Sequence, residues 1–226
     1  MPSFDIRRAH ERYATRVDGM ETLHSFSYGD HYDPDNVGFG FLRAINEEII
    51  APGAGYHPHR HEDVEIVTWV LDGLLAHQDT AGESGVVPVG VAQRLSAGTG
   101  VSHGEHNASD TEPLRFIQMM LTPDAWQLEP AYAQAAVPVE AGWVEAIDVH
   151  QAGAKLLIAR PSADTTLTLP ASDLVHLHVT RGSIVIGDVD LYAGDCARIT
   201  GRSAYDLKAS MSAELLVWLM TSPTNR

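Results

Sequence analysis

Residues 65–78 read Glu65-Ile66-Val67-Thr68-Trp69-Val70-Leu71-Asp72-Gly73-Leu74-Leu75-Ala76-His77-Gln78. Apolar and β-branched residues dominate the first seven positions, an Asp-Gly pair follows, and a second apolar run begins at once. That order predicts a strand, a tight turn and a second strand. Similar short runs recur outward from it, at Val86–Val91, Leu114–Leu121, Lys155–Ala159, Val175–Thr180, Ser183–Ile186 and Leu215–Met220. Gly, Asp and Pro separate them, and helical periodicity is scarce. The spacing predicts an all-β sandwich or barrel. Asp30–Gly40 reads as a turn-rich loop. Residues 122–143, richer in Pro, Ala and Gln, read as a connector.

The pattern repeats. VLDGLLAHQD at 70–79 and VAQRLSAGTG at 91–100 are echoed by VTRGSIVIGD at 179–188 and CARITGRSAYD at 196–206. Two similar small barrels are therefore expected, at 1–125 and 140–226, joined by a connector at 126–139. A chain of 226 residues is long for one domain of ~100–150 residues and suits this division.

The composition is that of a globular chain, 44% hydrophobic and 20% charged. Thirty acids against 15 bases give a formal charge of −15. Such a surface repels phosphate backbones and anionic membranes, so direct nucleic-acid and membrane binding are not expected. The single cysteine, Cys196, fits a reducing compartment. The opening MPSFDIRRAHER is too polar for a signal peptide, and no apolar run reaches ~18 residues, so cytoplasm is the expected location.

The densest chemistry lies just before the quoted stretch, at Tyr56-His57-Pro58-His59-Arg60-His61-Glu62-Asp63-Val64-Glu65, and just after it, at Gly100-Val101-Ser102-His103-Gly104-Glu105-His106-Asn107. Side chains at i and i+2 of a strand share a face, with roots about 6.5–7 Å apart. Two imidazoles at that spacing can converge on one metal. His59/His61 and His57/His59 are both such pairs, and His103/Glu105 repeats the spacing with a carboxylate. Two pairs on neighbouring strands would make a three-His, one-carboxylate site for a divalent transition metal: Fe, Zn, Ni, Mn or Cu. His106 and His77 read as surface residues. His176-x-His178 looks like a second site. With Gly73 and Gly182 taken as equivalent, however, His59 and His61 correspond to Thr168 and Pro170, whereas His176 and His178 correspond to Val67 and Trp69. The second barrel is therefore expected to lack a metal, and these two histidines to be packed or solvated.

These residues resemble the two cupin motifs: Gly53-x5-His59-x-His61-x3-Glu65 followed by Gly73, and Gly100-x2-His103-x3-Asn107. More narrowly, LHSFSYGDHYDP, GFGFLRAINEEII, EDVEIVTWVLDG, HQDTAGESG and QRLSAGTGVSHGEHN resemble the pirin family, bicupins that include bacterial quercetin 2,3-dioxygenases. HLHVTRGSIVIGD and the following AGD resemble that family's degenerate second cupin more loosely. The resemblance implies two tandem jelly-roll β-barrels with one metal, iron(II) first, in the N-terminal one. Its implied ligands are His59, His61, His103 and Glu105. The family's usual His-Pro-His string matches His57-Pro58-His59 literally, but counting back from Glu65 aligns His59-Arg60-His61 instead, leaving His57 beside the site. Glu65 would lie about 13 Å from His61 in a straight strand. It is expected to orient a ligand or support the pocket floor.

The resemblance also implies an activity: a flavonol-like aromatic substrate, bound through its hydroxyl and carbonyl oxygens, would lose a proton to Glu105 or Glu65, react with O2 and open its ring with loss of carbon monoxide. Glu105 is thus expected to be catalytic as well as a ligand. The alternative is a metal-binding, redox-sensitive regulator acting through protein partners, as pirins of animals do. A chain that supplies its own pair of cupins is expected to be a monomer.

Overall fold

A computed structural model describes residues 3–138 and 140–223, so the outermost ends of the three expected segments lie outside the described residues. The chain folds into two antiparallel β-barrels, each a large sheet facing a small one, as expected for tandem cupins. In the first, the large sheet runs Ala131–Ala136, Val91–Ser96, Glu65–Asp72, Leu114–Leu121, Leu42–Ile50, Met20–His24, Tyr13–Val17. Opposite it lie Gly55–His61, Val101–Asn107, Leu74–Asp79 and Ser84–Pro88. The second barrel sets Ser3–Arg7, Cys196–Thr200, Leu174–Arg181, Glu214–Met220, Ala154–Ala159 and Val144–Glu145 against Thr166–Leu169, Tyr205–Ala209, Ser183–Ile186 and Val189–Tyr192. Among the described residues, no helix is long and apolar enough to cross a membrane.

Gly73 and Gly182 occupy equivalent hairpin turns, with φ of 82° and 71°. A Cβ on either would meet backbone, at 2.7 Å from the Pro113 carbonyl oxygen and 2.0 Å from that of Ser212. Both turns thus require glycine, and the two halves align as the sequence repeat indicated.

Alternation along the strands divides the interior. In Glu65–Asp72, Ile66 and Val70 face into the first barrel, while Val67, Trp69 and Leu71 face the second. The two large sheets bury these outward residues against Leu156, Ile158, Leu216 and Trp218 in one apolar cluster. Polar contacts fix the seam: Trp69 Nε1 donates to Glu214 Oε1 (3.1 Å), and Arg181 donates to the Leu71 carbonyl (2.8 Å).

Inside the first barrel, two apolar clusters close the ends: Ile50, Val70, Leu75, Leu114 and Phe116 at one, Ala44, Ile66, Leu95 and Met120 at the other. Between them a polar row crosses the large sheet. His24 pairs with Asn46, Asn46 with Gln118, Gln118 with Thr68, Thr68 with Gln93, and Gln93 with Gln134. Among the described residues the equivalent level of the second barrel is apolar: Leu177, the counterpart of Thr68, pairs with Val217 on one side and Ala197 on the other.

Three segments differ from the sequence reading. Val86–Val91 straddles two strands, because Val89-Gly90 turns between Ser84–Pro88 and Val91–Ser96. Within the expected connector, Ala131–Ala136 is a strand on the edge of the first barrel, held by pairing to Val91–Ser96 rather than by β-propensity. Ser3–Arg7, expected in the first barrel, instead pairs with Cys196–Thr200 of the second, in register from Ser3↔Thr200 to Arg7↔Cys196. There Phe4 packs edge-on against Tyr205 and Ile6 against the second core.

Candidate metal centre

Strands Gly55–His61 and Val101–Asn107 pair so that His59 lies directly opposite His103, and His61 opposite Val101. The ring centroids of His59, His61 and His103 are 4.6–5.1 Å apart. One ring nitrogen from each lies within 4.8 Å of the others. His103 is buried and the other two half-buried.

The nitrogens are unspent. His61 Nε2 and both ring nitrogens of His103 are buried without a hydrogen-bond partner. His59 Nδ1 is bonded to the His57 carbonyl (2.9 Å), which leaves Nε2 for another partner. Burial, followed by the neighbouring imidazoles His103 and His59, pushes the pKa of His61 down to about 4. Burial, with His59 and His77 beside it, pushes that of His103 to about 3. Both rings are therefore neutral at pH 7, which is the form that binds a metal. Buried imidazoles with no partner, side by side, fit a divalent transition metal better than a packed core.

Glu105 completes a second group that shares His103: ligand atoms of His77, His103 and Glu105 also lie within 4.8 Å of one another, and all three residues are buried. Amides fix the carboxylate on both sides. Gln93 donates to Oε1 (3.2 Å) and Gln118 to Oε2 (2.7 Å). Tyr132 in turn donates to Gln93 Oε1 (3.0 Å), so the Gln93 amide can present only its NH2 to Glu105. The polar row of the large sheet thus holds the carboxylate of the small one.

A register shift between His103 and Glu105 settles which histidines face inward. Beyond it Glu105 lies opposite Tyr56, not His57. Tyr56 therefore joins His59 on the cavity side, while His57 is exposed and lines a different cleft. Gly55 allows this crossing, since a Cβ there would come within 2.4 Å of His106 Cα. The literal His57-Pro58-His59 string is thus not the converging pair. Glu65 also stands apart: its Oε2 accepts from Ser96 Oγ (2.8 Å) and the His150 amide (3.2 Å), and it does not line the cavity.

His106 is exposed, as expected, but His77 is not the surface residue its polar neighbours suggest. It lies opposite Glu105, stacks on Tyr132 at 4.8 Å, and is bonded through Nε2 to Asp79 Oδ2 (3.0 Å). Alternation offered a signal, since His77 is in phase with the buried Leu75 and Asp79. His176 and His178 are packed. They lie on the face of their strand turned away from the second barrel's core, with Phe26 and Phe39 near His176, and none of their four ring nitrogens has a partner.

A cavity of about 250 Å³ opens onto His59 and Glu105. Its lining includes His24 and Tyr28, stacked at 5.2 Å, and Met120 adds an apolar wall. Glu48, overlooked in the sequence, lies in the same wall. Burial pushes its pKa up to about 7, with the charges of Glu105 and Glu47 adding to the rise against hydrogen bonds from Thr22 and Tyr56.

Comparison with known proteins bears on the family and the fold. The Pirin family model matches residues 6–121, and the model of the quercetinase C-terminal cupin domain matches 141–218. A Mycobacterium tuberculosis protein, provisionally named quercetin 2,3-dioxygenase, is 43% identical over 96% of this chain and 94% of its own length. The Escherichia coli K12 protein named quercetin 2,3-dioxygenase is 30% identical over 94% and 96%. The crystal structure of the bacterial pirin YhhW from E. coli, in complex with nickel(II), superposes with a TM-score of 0.92 at 31% identity, covering 98% of this chain and all of that one.

Proposed function

This chain belongs to the pirin family, and from that premise we propose that it is a metal-dependent dioxygenase that opens the ring of a flavonol-like substrate such as quercetin with O2. The observation that carries this reading is the convergence of three imidazoles beside a buried carboxylate, with His59 and Glu105 reaching a cavity that His24, Tyr28 and Tyr56 also line. His59, His61, His103 and Glu105 would hold one divalent transition metal, iron(II) first. Once bound, such a metal supplies Lewis acidity toward substrate oxygens and a route for electrons to O2.

The protein's own groups do the rest. Gln93 and Gln118 fix the orientation of Glu105, as partners behind a ligand do in metal sites generally. Tyr28, backed by His24, would give a flat aromatic guest an aromatic wall, and Met120 an apolar contact.

The test is the metal content of untagged protein, followed by oxygen uptake with quercetin. About one equivalent of a first-row metal and metal-dependent uptake are expected. Protein that takes up no metal after anaerobic reconstitution with Fe(II) would overturn the reading in favour of a barrel that acts by binding partners.

A further inference from the structure

Two buried carboxylates, Glu105 and Glu48, line the same cavity, and they are held in opposite ways. Both oxygens of Glu105 already accept from amides, and Glu105 belongs to the cluster that would bind the metal. A carboxylate that shares its charge with a metal is a weak base. Glu48 is held from one side only. Its Oε2 accepts from Thr22 Oγ1 (2.6 Å) and from the Tyr56 hydroxyl (2.7 Å), and those two oxygens are 2.9 Å apart, closing a triangle. Glu48 Oε1 has no hydrogen-bond partner among the described residues. Strand alternation makes this placement firm, because Ala44, Asn46, Glu48 and Ile50 all face into the barrel.

We propose that Glu48, not Glu105, is the catalytic base that takes the hydroxyl proton of the bound substrate. In this step the substrate O–H bond breaks, the proton passes to Glu48 Oε1, and the electron pair stays on the substrate oxygen, which becomes an enolate. Nothing is oxidised or reduced. Thr22 and Tyr56 keep the carboxylate from rotating and leave Oε1 free to accept a proton. The groups that face Glu48 are Tyr56 and His59 from strand Gly55–His61, Glu105 from Val101–Asn107, His24 from Met20–His24, and Tyr28 and Asp30 from the loop after it. Glu47, its chain neighbour, faces away and pairs with Arg12 and Arg115.

This assignment rests on the flavonol reading above. Its test is anaerobic binding of quercetin to protein loaded with redox-inert zinc(II), with absorbance reporting the ionisation of the flavonol between pH 5 and 9. Bound quercetin should be ionised by pH 7 in the wild type. In Glu48→Gln the midpoint should rise by at least one pH unit with zinc content unchanged, and turnover of the iron-loaded form should fall about 10²-fold. Glu48→Asp, which keeps a carboxylate but withdraws it, should fall between and carries the test where the glutamine variant does not fold. Coincident ionisation curves for wild type and both variants would overturn the role of Glu48 and leave the dioxygenase reading standing. Metal-loaded wild type that neither binds nor consumes quercetin would overturn both.

Discussion

Gln118 donates a 2.7 Å hydrogen bond to Glu105 Oε2 and so ties the large sheet of the first barrel to the strand that carries His103. Without that donor a buried carboxylate would lose half of its support. Gln118→Leu should therefore weaken metal binding by roughly 10–100-fold. It should also destabilise the metal-free protein by about 1–3 kcal/mol. Competition with a chelator of known affinity measures the first effect and urea denaturation the second. Unchanged metal affinity would show that Glu105 needs no support from the opposite sheet.

The register of strand Gly55–His61 makes a sharper prediction about histidines. His61→Ala and His103→Ala should each abolish the single metal equivalent, and with it any rise in melting temperature on metal addition. His57→Ala should keep both, since His57 points to solvent. Elemental analysis of the three variants beside wild type decides it. Loss of metal in the His57 variant, with retention in the His61 variant, would restore the literal His-Pro-His pair.

Glu105→Gln keeps the shape of the side chain and removes its charge. Turnover should fall at least tenfold in protein that still holds metal, because the charge offered to the metal changes. Oxygen uptake normalised to metal content reads this. Undiminished turnover would remove Glu105 from the mechanism.

Acid should loosen the seam between the barrels. Burial lowers the pKa of His178 to about 4 and that of His176 well below its usual value. Unfolded, both titrate near pH 6.5. Between those values the unfolded chain binds more protons, so the contribution to stability is full above about pH 6.5 and is lost as pH falls toward 4. For His178 this is on the order of 2 kcal/mol at pH 5. His61 and His103 act in the same direction, so the comparison must be with a variant. His178→Leu should flatten the pH dependence of the urea midpoint between pH 7 and 5; a slope equal to that of wild type would contradict it.

How much of this was written in the sequence differs from residue to residue. The i, i+2 spacing of His59 and His61, the Asp72-Gly73 turn and the offset that equates Gly73 with Gly182 are local, and all read directly. His176 and His178 could be excluded as counterparts of His59 and His61 because the same offset places them at Val67 and Trp69 instead. Glu48 could not be found this way. His77 shares the phase of Leu75 and Asp79, a local signal of burial that its polar neighbours mask and the pairing with Glu105 makes plain. Glu48 follows another glutamate, and nothing local tells which faces the cavity and which meets Arg12 and Arg115. The polar row from His24 to Gln134 belongs to six strands scattered over more than a hundred residues. It exists only in the pairing register, which is a tertiary fact. The bulge that turns His57 outward is of the same kind.

Strand Ser3–Arg7 is made before every strand of the first barrel and pairs with one made after them all. Its partner, Cys196–Thr200, leaves the ribosome only once the first barrel has been synthesised. The first barrel can gather its histidines and glutamates before then, whereas the edge beyond Cys196–Thr200 is sealed only when these two strands meet. A bulky fusion ahead of Ser3 should therefore slow the final step of maturation while leaving the metal centre free to assemble.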